Sequence, residues 1–321
     1  MSTGSPARIF IDGQAGTTGL QITQRLAARR DVELLTLEDA QRKDPASRRD
    51  AMAAADVTLL CLPDSAVAEA VALAPQDARI LDASSVHRVH DDWVYGLPEL
   101  GATQRERLRT ARRVSNPGCY PQGLILLLRP LFAAGLLRPA QARIYQAVSG
   151  YSGGGRSMIE HFEAQPPGAP LPTRSYALDL THKHVPEMQR YTGLTHAPLF
   201  LPSVGHFRQG MTGFVPLFAS DFERSTSVAE LTTLLGAHYR DEPFVHVIAV
   251  NAEDPREAGF LDPTHRNNSN DIDLMVFGNE QQYLLCARYD NLGKGAAGAA
   301  VQNLNLMLGR SETDGLAPPG E

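Results

Sequence analysis

The fold is decided by residues 8–22, which read RIFIDGQAGTTGLQI. Residues 8–12 form a short apolar run typical of a buried strand, and the loop at 13–19 has a glycine at every third position. An amphipathic stretch from Leu20 to Ala27 follows, with Leu20 on the apolar face of the predicted helix. The pattern predicts a strand, a tight glycine loop and a helix, the opening unit of many nucleotide-binding α/β domains.

The alternation of strands and helices continues to about residue 115. Further strands are predicted at 32–37, 55–63 and 79–82, with a helix at 65–73 before the last of them. Strands that alternate with helices favour a parallel sheet covered on both faces. We therefore predict an α/β first domain with a Rossmann-like, doubly wound parallel sheet.

The second half of the chain has a different pattern. A strong helix is predicted at 122–136, and a strand at 142–149. The later elements are strands at 199–201, 210–219, 244–250, 273–278 and 282–289, one helix at 228–239, and a final helix at 295–308. Many strands with few helices favour a second α+β domain with a mostly antiparallel sheet. The proline-rich stretch 166–172 is predicted to be a loop, and residues 311–321 a frayed tail.

Composition and charge exclude several classes of protein. The 321 residues are 43% hydrophobic and 21% charged, which is typical of a globular chain and excludes disorder over most of it. The net charge of −6 argues against a nucleic-acid or anionic-membrane partner. The most apolar stretch, residues 124–128, is too short to span a membrane. Three scattered cysteines and no apolar leader in residues 1–6 predict a cytoplasmic protein.

The glycine loop is a candidate phosphate-binding site. Glycines let backbone N–H groups approach a pyrophosphate, and the following helix N-terminus favours negative charge. The spacing differs from the commoner G-x-G-x-x-G, so an ordinary tight turn is the alternative. The candidate contacts are Gly13, Gly16, Thr17, Thr18 and Gly19.

The charged residues after the second strand bear on cofactor choice. Glu38 or Asp39 would suit the ribose hydroxyl of NAD, whereas Arg42 and Lys43 would pair with the 2′-phosphate of NADP. A solvated charged loop is the alternative. We favour NADP binding through Arg42 and Lys43.

The sharpest local signal is SNPGCYP, residues 115–121. It places Cys119 after a turn and directly before an apolar helix, where unsatisfied N–H groups lower the pKa of a thiol. Cys119 is therefore the candidate nucleophile, with an inert thiol as the alternative. Cys61 and Cys286 lie in apolar strand patterns and are predicted to be buried hydrophobes.

A thiolate enzyme needs an acid or base nearby, and residues 181–187, THKHVPE, supply two imidazoles. Pro186 disfavours helix at the residue before it, so an extended segment or a turn is predicted. We predict that His184 is the acid/base, oriented by Glu187, and that His182 supports it or contacts substrate. Further metal ligands are missing from this pattern, so no metal site is expected.

A second glycine-rich segment, YSGGGR, covers residues 151–156. Flexible backbone, the Ser152 hydroxyl, Gly153 and the Arg156 guanidinium would suit a substrate phosphate or carboxylate. A plain loop is the alternative. Other histidines, including His87, are predicted to be surface or packing residues.

Together these motifs resemble the N-acetyl-gamma-glutamyl-phosphate reductases, in their shorter subclass, over nearly the whole chain. The matching segments are 13–19, 42–44, 81–85, 115–121, 149–156, 182–187, 291–298 and 302–303. The cysteine motif and NLGKGAAG, residues 291–298, are the most specific. The broader fold resembles those of aspartate-semialdehyde dehydrogenase and glyceraldehyde-3-phosphate dehydrogenase.

The resemblance implies an enzyme of arginine biosynthesis that uses NADPH to reduce N-acetyl-glutamyl 5-phosphate to the 5-semialdehyde, releasing phosphate. It implies a thioester on Cys119 and a catalytic histidine within 182–187. The final helix would pack onto the first domain, so the predicted domains are 1–118 with 290–321 for NADP binding, and 119–289 for catalysis and dimerisation. A homo-oligomer, either dimer or tetramer, acting on a small-molecule acyl phosphate, is expected.

The resemblance also adds site residues. Gly293, Lys294 and Gly295 would lie on the nicotinamide side of the cofactor, and Ser84 is a further cofactor candidate. Asn116 and Glu187 join the predicted substrate contacts. Two alternatives stay open: another acyl-phosphate reductase of the same fold, such as an aspartate-semialdehyde dehydrogenase, and a non-catalytic NADP-binding protein.

Overall fold

A computed structural model describes residues 5–166, 172–250 and 254–317. The chain forms two compact units: unit 1 runs to Pro117 and resumes over Ala296–Ala317, and unit 2 covers Gly118–Gly295. Most of the proline-rich stretch 166–172, and the end of the predicted tail, lie outside the described residues. Each unit has its own sheet and its own helices.

The elements were assigned in chain order. The strands are β1 (Ala7–Asp12), β2 (Val32–Leu35), β3 (Val57–Leu60), β4 (Ile80–Asp82), β5 (Val94–Tyr95), β6 (Arg113–Ser115), β7 (Ile144–Gly150), β8 (Arg174–Ser175), β9 (Leu199–Gly205), β10 (Met211–Phe218), β11 (Val245–Ile248), β12 (Ile272–Gly278) and β13 (Gln282–Tyr289). The helices are α1 (Thr17–Ala27), α2 (Pro45–Ala54), α3 (Asp64–Leu73), α4 (Gln104–Thr110), α5 (Cys119–Ala133), α6 (Gly155–Glu163), α7 (Val185–Thr192), α8 (Val228–His238) and α9 (Gly298–Met307). A π turn, Gly293–Ala297, leads into α9.

Unit 1 contains a six-stranded sheet in the order β2-β1-β3-β4-β6-β5. Every pairing in it is parallel. Unit 2 contains a seven-stranded sheet in the order β11-β12-β13-β10-β7-β9-β8, in which four pairings are antiparallel and two parallel. The predicted fold class, a Rossmann-like sheet with a second, mostly antiparallel α+β unit, is confirmed.

The core of unit 1 follows from the alternation of side chains along β1. Ile9 and Ile11 point to one face, where they pack with α1 and with Val301 of α9, whereas Phe10 points to the other face beside Met52 of α2. Both faces of the parallel sheet are thus covered. Full burial of each such side chain stabilises the fold by roughly 1.5–3 kcal/mol.

Some element predictions were wrong. Leu20 is 50% exposed, so it is not on the buried face of α1. The helix predicted at 122–136 begins three residues earlier, at Cys119, and Cys61 lies just beyond its strand. Helices α2, α4, α6 and α7 were not predicted. For α2 the signals were present, because Asp44 caps the helix through the Ser47 N–H and Pro45 occupies its first position.

Helix α5 is the central helix of unit 2. It packs on strands β10 and β13 and contacts α7 and α8, and its residues from Tyr120 to Leu128 are all buried. Its placement against the sheet brings its first turn, with Cys119, close to the end of β13. Among the described residues, no helix has the length and apolarity that a membrane crossing requires.

Candidate active site

Cys119 is the first residue of α5, and Gly118 is its N-cap. Because glycine carries no side chain that could cap the helix, the first N–H groups of the 15-residue α5 face the space around the thiol. A helix N-terminus stabilises a thiolate through these N–H groups and the helix dipole. Cys119 is partly exposed, which suits a nucleophile.

The turn before Cys119 is held by Glu187 of α7. The Glu187 carboxylate is 1% exposed, and its Oε2 accepts a hydrogen bond from the Gly118 N–H at 3.0 Å. Its carboxylate thus helps to position the turn before Cys119. Its predicted roles, contacting substrate and orienting His184, stay predictions.

Tyr289, at the end of β13, holds the same turn from the other side. Its hydroxyl donates to the Cys119 carbonyl oxygen at 2.7 Å and accepts from the Gly123 N–H at 3.2 Å. A Cβ at Gly123 would lie 2.9 Å from the Tyr289 hydroxyl and 2.7 Å from that of Tyr145, so only glycine allows this approach. No sequence pattern indicated Tyr289.

The two predicted histidines lie together at the start of α7. His184 is the N-cap residue of the helix and is 6% exposed, and its ring centroid lies 4.7 Å from that of His182. The expectation of an extended segment or turn at Val185 was wrong, because Pro186 falls in the first helical turn, where its missing N–H costs nothing.

The hydrogen bonding of His182 restricts its chemistry. The backbone N–H of His184 donates to Nδ1 of His182 at 3.1 Å. Since a backbone N–H can only donate, Nδ1 must carry a lone pair, and the proton of the neutral ring lies on Nε2. His182 is therefore a hydrogen-bond donor through Nε2, which leaves His184 as the better acid/base candidate.

Aromatic residues surround these histidines. The ring of Tyr120, which follows the nucleophile, lies 5.9 Å from that of His184 and 6.1 Å from that of His182, and Phe200 lies 5.1 Å from His182. The Tyr176 hydroxyl donates to that of Tyr120 at 3.1 Å. Burial raises the pKa of Tyr176 to about 12 and that of Tyr120 well above its usual range, so both phenols stay neutral.

The other two cysteines are poor nucleophiles. Burial, with the nearby carboxylates of Asp82 and Asp12, raises the pKa of Cys61 to about 12. Burial also raises the pKa of Cys286, which has no exposed surface. Both remain thiols at neutral pH. Cys286 is buried as predicted, whereas Cys61 is only partly buried, so that prediction was wrong for Cys61.

The second glycine-rich segment is not an open anion loop. Residues Tyr151–Gly154 form a 3₁₀ turn, and Arg156 lies on α6, where its exposed guanidinium pairs with Glu160 at 2.8 Å. Ser152 is buried, and its hydroxyl accepts from Asn291 at 3.0 Å. Gly153 is exposed. The predicted substrate contacts of Ser152, Gly153 and Arg156 stay predictions.

The glycine loop of unit 1 has a geometry that suits a pyrophosphate. Gly13 has a φ of +90°, and a Cβ there would lie 2.4 Å from the Cys61 carbonyl oxygen. A Cβ at Gly19 would lie 2.6 Å from the Gly13 carbonyl oxygen. Gly16 is the exposed N-cap of α1, and no side chain of the described residues caps it. The N–H groups at the start of α1 thus fit a phosphate group.

Arg42 and Lys43 lie in the exposed loop between β2 and α2. The Arg42 guanidinium pairs with Asp39 at 2.9 Å, so Asp39 already has a cation beside it. Asp44, the next residue, accepts from Ser47 at the start of α2. The loop thus presents two cations beyond β2, on the edge of the sheet that carries the glycine loop.

A buried ion pair that the sequence did not predict lies at the end of β1, where the glycine loop begins. Arg48 of α2 donates to Oδ2 of Asp12, the last residue of β1, from Nε at 3.1 Å and from a terminal nitrogen at 2.8 Å. Both side chains are less than a tenth exposed. Because α2 was not predicted, nothing in the sequence indicated that Arg48 would reach Asp12.

Two predicted contacts have side chains that bond to other residues of unit 1. The Ser84 hydroxyl is buried and donates to Asp82 at 2.7 Å. The Asn116 amide donates to the Ala296 carbonyl at 3.0 Å, and its oxygen accepts from Asn303 at 3.1 Å. The predicted roles of Ser84 in cofactor binding and of Asn116 in substrate binding stay predictions.

The segment Gly293–Gly295 lies beside Cys119 in unit 2. Lys294 has no exposed surface, and its ammonium lies 5.9 Å from the Phe244 ring centroid. Its predicted contact with the cofactor stays a prediction. A Cβ at Gly295 would lie 3.0 Å from the Cβ of Cys119, and one at Gly293 would overlap the Ser269 carbonyl oxygen. Gly295 therefore keeps space open beside the nucleophile.

Comparisons with known proteins agree with this geometry. Residues 8–111 match the family of the semialdehyde dehydrogenase NAD binding domain, and residues 119–291 match the semialdehyde dehydrogenase dimerisation domain. The N-acetyl-gamma-glutamyl-phosphate reductase of Burkholderia cenocepacia is 50% identical over 94% of this chain and 97% of its own. N-acetyl-gamma-glutamyl-phosphate reductase 2 of Pseudomonas putida is 50% identical over 96% of this chain and 98% of its own. The chain belongs to the N-acetyl-gamma-glutamyl-phosphate reductases.

The resemblance drawn from the sequence motifs is thus confirmed, and this reductase also shares its fold with solved structures of a related enzyme. Aspartate semialdehyde dehydrogenase from Francisella tularensis superposes with a TM-score of 0.70 at 13% identity, covering 94% of this chain and all of that one. Aspartate semialdehyde dehydrogenase II from Vibrio cholerae, complexed with ASA, gives a TM-score of 0.67 at 14% identity, covering 95% and 99%. Because the sequence identity is only 13–14%, these similarities show a shared fold alone.

In this reductase, the site residues fall into two groups. Unit 2 brings Cys119, His182, His184 and Gly295 into one region, with Glu187 and Tyr289 as supports that hold the nucleophile turn. Unit 1 carries the glycine loop with its two cations. Within the described ranges, no group of three or more His, Cys, Asp and Glu side chains is placed to hold a metal ion.

Proposed function

We propose that this reductase converts N-acetyl-L-glutamyl 5-phosphate to N-acetyl-L-glutamate 5-semialdehyde, with release of phosphate, in arginine biosynthesis. The observation that carries the proposal is the placement of Cys119 at the start of α5, next to Tyr120, whose ring lies 5.9 Å from that of His184, in a chain 50% identical to reductases of this name. Aspartate-semialdehyde dehydrogenases match at only 13–15% identity, so that alternative is not favoured. A non-catalytic role is not favoured either, because the nucleophile and its partner are both present.

Covalent catalysis by Cys119 splits the reduction into two easier steps. The thiolate attacks the acyl carbon, a C–S bond forms, and the C–O bond to phosphate breaks, so phosphate leaves with that electron pair. The product is a thioester on Cys119. The N–H groups at the start of α5 stabilise the thiolate, and they would also stabilise negative charge on the acyl oxygen during attack.

NADPH, when bound, supplies the hydride that reduces the acyl carbon. His184 takes the proton of the Cys119 thiol as the thiolate forms and holds it near the reacting atoms. The collapse of the reduced adduct breaks the C–S bond, the aldehyde is released, and the sulfur that leaves as thiolate takes its proton back from His184. His182, whose neutral ring donates through Nε2, provides a hydrogen bond for the acyl oxygen. Glu187 and Tyr289 keep the nucleophile turn in place.

Unit 1 has the features required to hold NADPH. The N–H groups of Thr17 and Thr18 would bind the pyrophosphate. Gly13, Gly16 and Gly19 allow the tight loop, in which the Gly16 N–H donates to the Gly13 carbonyl oxygen at 3.0 Å. Arg42 and Lys43 would bind the 2′-phosphate, and this supports NADP over NAD. We accordingly propose that 1–118 with 290–321 forms the NADP-binding domain, and that 119–289 forms the catalytic and dimerisation domain.

Unit 2 matches a dimerisation domain, and we propose that a second copy of the chain covers one face of its sheet. Ile144 of β7 and Leu199 of β9 are directly paired in the sheet and are 42% and 41% exposed. Leu201 and Phe218 are 38% and 57% exposed. Large apolar side chains gathered on one open face are typical of an interface. Replacing Ile144 and Leu199 with Asp should yield a monomer in light scattering after gel filtration.

The activity is tested most directly in reverse. N-acetyl-L-glutamate 5-semialdehyde, phosphate and NADP⁺ should give NADPH, measured by its absorbance, with aspartate 4-semialdehyde as the competing substrate. Preference for aspartate semialdehyde would overturn the proposed substrate.

All three cysteines are free thiols, which supports a cytoplasmic, reducing location for the enzyme.

A further inference from the structure

We propose that His87 binds the nicotinamide–ribose half of the cofactor, through an imidazole ring that Asp82 and Trp93 hold in one orientation. This inference rests on the proposed NADPH-dependent function. Sequence patterns predicted only a surface or packing role for His87. The residues that carry the inference all belong to unit 1.

The first observation is the hydrogen bond between His87 and Asp82. Asp82 is the last residue of β4, has no exposed surface, and accepts from His87 Nδ1 at 2.7 Å. It also accepts from the Ser84 N–H at 2.8 Å and from the Ser84 hydroxyl at 2.7 Å. An ionised carboxylate only accepts, so Nδ1 of His87 carries a proton and the neutral ring has its lone pair on Nε2.

The second observation is the stacking of His87 on Trp93. The ring centroids are 4.0 Å apart and the planes differ by only 12°. Trp93 is itself buried, and the Arg113 guanidinium lies 5.8 Å from its ring centroid. The imidazole of His87 is therefore restrained in orientation by two independent contacts. Restraint of this kind is what a precise binding contact requires.

The third observation is that Nε2 remains available. Across the described ranges, the bond to Asp82 is the only hydrogen bond that the His87 ring makes. The side chain keeps 12% of its surface exposed. Burying the carboxylate of Asp82 costs free energy. An imidazole that only filled space would not require a carboxylate to fix which ring nitrogen carries the proton. Nε2 of His87 can therefore accept a hydrogen bond from a ligand.

The order of the strands in the unit 1 sheet indicates which group would donate to Nε2 of His87. The glycine loop follows β1, and Arg42 and Lys43 follow β2 on one side of it, whereas His87 follows β4, two strands from β1 on the other side. A dinucleotide lies across the carboxyl ends of the strands where the strand order reverses, here at β1 and β3. With the 2′-phosphate toward β2, the nicotinamide half extends toward β4. Its ribose hydroxyls and carboxamide N–H are suitable donors for Nε2.

The test uses Trp93, the only tryptophan of the chain, as a fluorescent reporter in contact with His87. NADPH and 2′,5′-ADP, which lacks the nicotinamide half, are titrated into wild type and the His87→Phe variant, which keeps the stacked ring but loses the acceptor. We expect His87→Phe to weaken NADPH about three- to tenfold, the worth of one hydrogen bond, and to leave 2′,5′-ADP unchanged. Titration with 2′-phospho-ADP-ribose then separates a ribose hydroxyl from the carboxamide as donor.

A second variant guards against altered folding. His87→Gln offers an amide oxygen and should retain more NADPH affinity than His87→Phe, with thermal unfolding monitored for both. Unchanged NADPH affinity in His87→Phe, or an equal loss for 2′,5′-ADP, would overturn the inference. Failure of the wild-type chain to bind NADPH would count against the proposed function instead, so the two failures are distinguishable.

Discussion

Glu187 accepts a hydrogen bond from the Gly118 N–H at 3.0 Å, and this bond joins the first turn of α7 to the first turn of α5. Cys119 follows Gly118 directly, and His184 precedes Glu187 by one turn of helix. One buried carboxylate therefore connects the turn before Cys119, the proposed nucleophile, to the helix that follows His184, the proposed acid/base.

The first prediction concerns that bond. Glu187→Ala removes the acceptor for Gly118 and should lower kcat about 10- to 100-fold, since small misplacements of catalytic groups are costly. Glu187→Gln keeps an acceptor oxygen and should recover most of the rate. NADPH affinity, measured by fluorescence, should be the same in both variants. A substrate-binding role would raise KM instead and leave kcat almost unchanged.

The second prediction concerns thiol reactivity. Iodoacetamide should modify Cys119 well before Cys61 or Cys286, because burial raises the pKa of both of those thiols. Mass spectrometry of the peptides would measure the order. The Cys119→Ser variant should fold and bind NADPH yet lose nearly all activity, since its hydroxyl is not ionised near neutral pH. Activity within tenfold of wild type would exclude the thioester mechanism.

The third prediction separates the two histidines. His184→Asn should reduce kcat about 10²–10⁴-fold and remove one limb of the pH–rate profile, as expected for an acid/base. His182→Asn should keep both limbs and cause a smaller loss, because His182 acts as a neutral donor. The reverse result would exchange the two roles. Thermal unfolding of both variants provides the control, since each lies at the start of α7.

The fourth prediction concerns the choice of cofactor. Replacing Arg42 and Lys43 with Ala should reduce the preference for NADPH over NADH by roughly 30- to 1000-fold, which corresponds to two charge-assisted contacts of about 2–4 kcal/mol in total. NADPH affinity should account for the change, with NADH affinity almost constant. If the double variant still discriminates, the 2′-phosphate is bound elsewhere in unit 1.

The fifth prediction concerns stability. Arg48→Ala leaves Asp12 buried without its cation and should lower the free energy of unfolding by about 3–5 kcal/mol. Arg224→Ala removes an exposed ion pair with Glu230 and should change it by less than about 1 kcal/mol. Urea denaturation of the two variants provides the comparison. An equal, small effect would mean that the Asp12 pair contributes no more than a surface pair.

Local sequence patterns predicted the elements whose side chains repeat with a clear period. Strand β1 and the glycine loop follow from the apolar run and the glycines between residues 8 and 19. Helix α7 was missed because Pro186 was weighed as a helix breaker, although proline is well tolerated in the first turn. Proline breaks a helix in its interior but is tolerated in the first turn, and the sequence alone does not show where the helix begins.

The candidate site was predictable only where its residues are neighbours in the chain. Cys119 and His184 each belong to a short local motif that indicated them. Tyr289 contacts Cys119 across 170 positions, and Arg48 reaches Asp12 through a helix that the pattern analysis missed. The sequence also did not indicate that Asn116 would bond to Asn303 or Ser152 to Asn291. Which partner a polar side chain takes is decided by packing, and no pattern in the chain encodes that directly.

The position of α9 in the core of unit 1 has a consequence for synthesis on the ribosome. Val301 and Leu304 pack with Ile9 and Ile22, so the earliest and latest parts of the chain share one core. Helix α9 begins only three residues after Gly295, so the first 117 residues cannot complete their core until nearly the whole chain has been synthesised. Loss of the last helix would therefore leave the parallel sheet of unit 1 without part of its core.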